Sequence, residues 1–161
     1  MDAKAYIDKL ALLPHPEGGF YRETYRSIST QHYEGFVGER NVCTAIYFLL
    51  NGKDKSHFHR IKSDEIWYFH DGATLELFIL DENGLTTIHI GKNLANGEVL
   101  QAVVPANTWF ASKVKNDEGF VLVSCSVAPG FSFEDFEMAT VDALTQEFPH
   151  QIEIITLMTL V

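Results

Sequence analysis

The chain has 161 residues, of which 46% are apolar and 21% charged, with a formal charge of −10 and a pI near 5.0. That describes one globular domain able to bury a core, and excludes a disordered chain. It also argues against a surface that tracks nucleic-acid phosphates, which needs clustered Lys and Arg, and favours a small organic ligand as partner.

The first residues, Met1-Asp2-Ala3-Lys4, lack the basic start and apolar run of a signal peptide. No apolar stretch approaches the ~18 to 20 residues of a membrane span, so a cytoplasmic protein without a membrane partner is the expectation. Asp2 is placed to cap a short helix carrying Tyr6, Ile7, Leu10 and Leu13 at helical spacing, which Pro14 and Pro16 stop. Pro16-Glu17-Gly18-Gly19 then reads as a turn.

From Phe20 to Val127 short β-type runs alternate with turn residues, giving strands near 20–27, 42–50, 56–62, 65–70, 74–80, 85–90, 99–104, 109–114 and 120–127. Asn51-Gly52, Asp71-Gly72, Asn83-Gly84 and Asn96-Gly97 punctuate them as tight antiparallel connections would. The fold class is therefore mainly β, a sandwich or barrel. Helical spacing returns over 142–161 through Leu144, Phe148, Ile152, Ile155 and Leu160, divided by Pro149. Cys43 and Cys125 lie in apolar runs and read as buried, reduced thiols.

His57-Phe58-His59 carries the chemistry. In a regular strand both imidazoles face one side and Phe58 the other, and Glu65 shortly afterwards completes a facial donor set for Fe, Mn, Ni or Zn. The alternative is a polar cavity in which His59 and Glu65 act as general acid and base without a metal. Strand alternation nominates Tyr47, Trp67, Phe69 and Gln101 as cavity walls, and either Trp109 or Phe110 as an inward residue. Arg60, of opposite parity to His59, points outward. Glu17, held between a proline and two glycines, suits a cavity rim, and His15 stands beside it. Glu134, Asp135 and Glu137 read as a solvated acidic loop.

These residues resemble a cupin. Gly52, His57, His59, Glu65 and Gly72 follow the order of the first cupin motif, although Glu65 lies one residue beyond the usual longer spacing, which Asp64 satisfies. Gly97 and Pro105-Ala106-Asn107 are similar to the second motif, with Phe110 where its fourth metal ligand would stand. Closer still is the cupin_5-like group, through Leu13-Pro14-His15-Pro16-Glu17-Gly18-Gly19-Phe20-Tyr21, Phe58-His59-Arg60, Asp64-Glu65-Ile66-Trp67, Val104-Pro105-Ala106-Asn107-Thr108-Trp109 and Val127-Ala128-Pro129-Gly130-Phe131. The resemblance implies a single-domain jelly-roll β-barrel over 1–161, with its core at about 20–138, a central ligand cavity and a homodimer. It brings no settled reaction. Three readings follow: metal-assisted chemistry at His57, His59 and Glu65; metal-free isomerisation or epimerisation of a sugar or nucleotide-sugar by His59 and Glu65; and a non-catalytic binding or sensing module.

Overall fold

The computed structural model describes residues 1–160. Helix α1 (Ala3–Leu10) begins where Asp2 accepts a hydrogen bond from the Ala5 amide at 2.8 Å. Thirteen strands follow: β1 (Leu13–Pro14), β2 (Phe20–Arg26), β3 (Thr30–His32), β4 (Glu39–Asn41), β5 (Thr44–Asn51), β6 (Lys55–Ile61), β7 (Asp64–Gly72), β8 (Leu75–Asp81), β9 (Gly84–Ile90), β10 (Gln101–Val104), β11 (Trp109–Val114), β12 (Phe120–Ala128) and β13 (Phe136–Met138). Helices α2 (Val141–Glu147) and α3 (Ile152–Met158) close the described chain. Val161, the end of the expected helical segment, lies outside the described residues.

The long strands match the alternating runs of the sequence, whereas β1, β3, β4 and β13 are too short to show a period of two. Antiparallel pairing assembles a six-stranded sheet, β1-β2-β5-β12-β7-β10, and a five-stranded sheet, β13-β6-β11-β8-β9; β3 and β4 pair by themselves. The two main sheets face each other as a jelly roll with helical ends, but they do not close into a barrel. Among the described residues an isolated parallel bridge, Ile90 to Val99, links the end of β9 to the segment entering β10.

Three apolar clusters follow from this layering. Phe48, Leu50, Trp67, Leu75, Leu77, Ile79, Phe110, Val121 and Val123 fill the space between the sheets. On the outer face of the five-stranded sheet, Phe58 and Trp109 pack under Leu144, Ile155 and Met158 from the C-terminal helices. On the six-stranded sheet, Leu49 and Leu122 pack under Ala3 and the apolar face of α1. Trp109 and Phe110 thus point to opposite sides of β11, with Phe110 inside, as strand alternation requires. Among the described residues no helix is long and apolar enough to cross a membrane.

Candidate active site

The β1–β2 hairpin loop, residues 15–19, brings Glu17 into the interior. The His15 amide bonds the Gly19 carbonyl at 2.9 Å and the Gly18 amide bonds the His15 carbonyl at 3.0 Å, which folds the loop tightly. Gly18 has φ 109°, and a Cβ there would collide with the carbonyl oxygen of Lys55. Only glycine lets this loop lie flat on β6. In that position the Glu17 carbonyl accepts from the His57 amide at 2.9 Å, and its carboxylate turns inward.

A bulge in β6 selects which histidine follows it. Opposite Phe110 and Ser112 of β11 stand His59 and Ser56, so β6 carries one extra residue between the paired positions. The alternation breaks there. Ser56 and His59 both face Glu17, while His57 turns aside and its Nδ1 donates to the Glu17 carbonyl at 2.7 Å. The expectation that both imidazoles share one face therefore fails, because it assumes an unbroken strand.

The Glu17 carboxylate accepts from Ser56 Oγ at 2.9 Å and lies 2.8 Å from His59 Nε2. His59 Nδ1 is 2.7 Å from the His57 carbonyl oxygen, which only accepts. Both ring nitrogens therefore face acceptors, the arrangement of an imidazolium. Burial opposes the charge, yet Glu17 beside it outweighs burial and raises the His59 pKa. The same pairing holds Glu17 below its ordinary value despite complete burial, with help from Ser56. His15 differs: its Nδ1 accepts from the Glu17 amide at 3.2 Å, and burial lowers its pKa, so it is the neutral imidazole of the group.

Glu65, on β7, is the second inward carboxyl. Burial, then the negative charge of Glu17, pushes its pKa up to about 7, against the charge of His59 and a hydrogen bond from the Cys125 thiol on the neighbouring β12. Asp64 points away and accepts from the Ala106 amide at 2.8 Å, securing the turn in which Asn107 takes φ 60°. The ambiguity between the two acids is resolved in favour of Glu65 as the inward one.

His15, Glu17, His59, Glu65 and Cys125 line one end of a cavity of about 660 Å³, within the range of about 300–1,000 Å³ typical of small-molecule sites. Its walls are Tyr21, Ile46, Ile61, Val127 and a segment carrying Phe131, Phe133 and Phe136. Those three rings meet nearly at right angles, with centroids 5.0 to 6.1 Å apart. Sequence reasoning missed this wall. Its signal was the Pro-Gly-Phe phrase leading into it, obscured by the acidic residues that read as a solvated loop. Glu134 and Glu137 are exposed, as that reading has it, with Glu137 paired to Arg60 Nε at 2.7 Å, but the Asp135 side chain is buried against Arg40 Nε at 2.6 Å. Arg60 does point outward, with its guanidinium 4.3 Å from the Trp109 ring centroid.

The other nominated walls lie elsewhere. Tyr47 packs on the outer face of the six-stranded sheet, because its neighbours Ile46 and Phe48 take the inward positions. Gln101 is exposed for the same reason, with Ala102 and Val104 inward. Trp67 and Phe110 form a buried aromatic layer behind the polar group, Phe110 lying 4.1 Å from the His59 ring centroid. Phe69 packs against that core. None of the five lines the cavity.

The donor set proposed for a metal does not assemble. His57 is turned onto a backbone carbonyl, both nitrogens of His59 are engaged, and the fourth cupin position is a phenyl ring. Among the described residues no group of three His, Cys, Asp or Glu side chains is arranged to hold a metal ion. Cys43 and Cys125 are both free thiols, Cys125 fully buried and Cys43 partly so.

The two-sheet fold is that of a cupin, and the chain belongs to the family described as Cupin_5: Cupin superfamily (DUF985), whose model matches residues 4–139. It is similar to the uncharacterized protein YML079W of Saccharomyces cerevisiae, 32% identical over 142 residues that span 80% of this chain and 71% of that one. A hypothetical protein from Leishmania major superposes with a TM-score of 0.93 at 36% identity, over all of both chains. Protein SO0799 from Shewanella oneidensis does so at 0.89 and 40% identity, over 99% of this chain and 98% of that one.

Proposed function

We propose that this cupin binds a small organic molecule in the cavity and moves a proton to and from it without a metal, as an isomerase or epimerase does. The observation that carries the reading is a pair of buried carboxyls, Glu17 and Glu65, flanking the buried His59 at one end of a single cavity. Two acids driven apart in pKa by their surroundings are the usual arrangement for assigning a base and an acid. Glu17, paired with His59, stays ionised and serves as base. Glu65, with its pKa near 7, is the acid that retains a proton at neutrality.

The charges balance. Glu17 takes a proton from carbon next to a substrate carbonyl, and Glu65 gives its proton to the carbonyl oxygen, leaving a neutral enediol. The negative charge passes from Glu17 to Glu65 while His59, whose charge acts on both, stays an imidazolium. Glu17 then gives its proton to the former carbonyl carbon while Glu65 takes the hydroxyl proton from the carbon first deprotonated, which completes isomerisation. If the enediol turns its other face to Glu17, return of that proton to the first carbon, with Glu65 taking back the proton it gave, yields the epimer. His59 is therefore a positioning residue that holds Glu17 in its ionised form, rather than the group that meets the substrate.

The test is proton exchange from D₂O into hydroxy-carbonyl compounds, followed by NMR. Wild-type protein should catalyse exchange that survives exhaustive chelation, with Glu17→Gln and Glu65→Gln each reducing it at least about a hundredfold, the usual scale of a lost general acid or base. Exchange lost on chelation and restored by one specific metal would reinstate the metal-assisted reading. Tight ligand binding with no exchange would leave the binding-module reading.

A further inference from the structure

Which molecules the cavity admits depends on its mouth, where Arg26 and Arg40 stand. Free guanidinium groups there would mark a phosphate or carboxylate site. These are not free. Arg40 donates through Nε and one terminal nitrogen to Asp135 at 2.6 and 3.1 Å. The same terminal nitrogen also bonds Glu134 at 2.9 Å, and the other bonds the carbonyls of Val37 and Glu39 at 2.8 and 2.9 Å. Those five bonds match the five N–H donors of a guanidinium. Arg26 forks onto both oxygens of Glu23 at 2.9 and 2.7 Å, and its remaining terminal nitrogen bonds Asn41 at 2.7 Å and the Phe131 carbonyl at 3.1 Å. Arg22 also borders the cavity, but its side chain alternates away, since Tyr21 and Glu23 on either side pair with the inward Phe48 and Ile46.

Both arginines clamp the aromatic wall. Arg26 holds the carbonyl of Phe131, and Arg40 holds Glu134 and Asp135, between Phe133 and Phe136. The cations at the mouth thus fix Phe131, Phe133 and Phe136 in place. Further in, the polar surface includes two carboxyls, one imidazolium already paired with Glu17, a neutral histidine, a thiol, and the Thr44 hydroxyl that accepts from the Phe131 amide. Among the described residues no cation that faces into the cavity is free of a partner, so an anionic substrate group would have to approach Glu17 and Glu65.

We infer that the cavity takes an uncharged polyhydroxy-carbonyl compound, a free sugar carrying neither phosphate nor carboxylate, with one C–H face against Phe131, Phe133 and Phe136, its carbonyl and hydroxyl oxygens directed to Glu65, and the reacting C–H directed to Glu17. This deepens, and rests on, the proton-transfer reading of the same cavity. Carboxyls accept hydrogen bonds from hydroxyls without needing a counter-ion, and the exposed ring of Phe133 offers dispersion contact to the C–H face of a pyranose.

The experiment compares D-fructose, D-mannose and D-xylose with fructose 6-phosphate, mannose 6-phosphate and UDP-glucose, using saturation-transfer NMR and calorimetry on the intact chain. The free sugars should bind at least about tenfold more tightly than the phosphorylated compounds, a difference of about 1.4 kcal/mol. Phe133→Ala, a change at an exposed ring that leaves the core intact, should weaken free-sugar binding several-fold. Equal or tighter binding of a phosphorylated compound would overturn the inference. So would indifference to Phe133→Ala, or no binding of any free sugar at millimolar concentration. The D₂O exchange assay separates the two proposals: free sugars that bind without exchange defeat the reaction but not the substrate class. Exchange confined to a phosphorylated compound defeats the class but not the reaction.

Discussion

The space between the two sheets has two ends of different character. At one, Leu75, Leu77, Ile90, Val114 and Val121 are wholly buried in one apolar cluster. At the other, Glu17, His59 and Glu65 are almost as deeply buried, yet carry two carboxyls and an imidazole. The apolar end is self-consistent: each inward residue of a regular strand meets another, and burial alone stabilises it. The polar end exists only because a loop from the N-terminal hairpin is pressed onto a bulged strand and a C-terminal aromatic segment is clamped over it. The apolar end thus supplies stability, and the polar end uses some of it to keep titratable groups out of water.

The sharpest way to break this comparison is to uncouple the ion pair. Glu17→Ala leaves a buried imidazolium whose other nitrogen bonds a carbonyl, and should cost about 3–5 kcal/mol in urea denaturation at neutral pH. A loss under about 1 kcal/mol would mean that His59 sheds its proton easily and that the polar end is not a charged unit. The matching change at the apolar end, Leu77→Ala, should cost about 2–5 kcal/mol through lost burial and the cavity left behind, with no change in the titration of His59.

The ends also differ in their response to pH. Glu65 has a folded pKa near 7 against an ordinary value of 4.5, so the folded state holds its proton more firmly than the unfolded chain does. Its contribution is most favourable below pH 4.5 and is lost as pH rises to about 7, by about 3 kcal/mol. Glu17 acts below that window, and His59 acts from its upper end, near pH 6.5, upward. The lowered pKa of Glu17 costs stability as pH falls below 4.5, and the raised pKa of His59 costs it as pH climbs past 6.5. Glu65→Gln should therefore flatten the stability profile between pH 4.5 and 7 and leave both flanks. An unchanged slope would show that Glu65 is ionised and solvated through the cavity.

The same contrast explains what could be read from the sequence. The apolar end, nine of the strands and the helical ends were legible because alternation and turn dipeptides are local signals, and the cupin-like phrases fixed their order. At the polar end the residue types were legible, but their directions were not. Glu17, His59 and Glu65 stood out. The bulge that separates His57 from His59 depends on how β6 pairs with β11, about fifty residues away. Tyr47 and Gln101 failed because alternation gives two faces without saying which is inside. The wall of Phe131, Phe133 and Phe136 was hidden because its acidic neighbours find partners, such as Arg40, that lie some 90 residues away in sequence.

The smallest effect tests that reading of β6 most directly. Among the described residues the His57 ring makes one hydrogen bond, its Nδ1 donating to the Glu17 carbonyl, which its own amide also reaches. Replacing the ring removes one of the two bonds to the Glu17 carbonyl and leaves those of Ser56 and His59 to its carboxylate. His57→Gln should therefore cost about 0.5–1.5 kcal/mol, the net worth of one hydrogen bond, and change exchange activity only a few-fold. His59→Gln should abolish that activity, since Glu17 loses the charge that keeps it ionised. If His57→Gln instead removed activity as completely as His59→Gln, and stability were unaffected, the two imidazoles would be acting on one centre. The bulge would then have to straighten in the working protein, and the facial donor set on β6 and β7 would return as the better account.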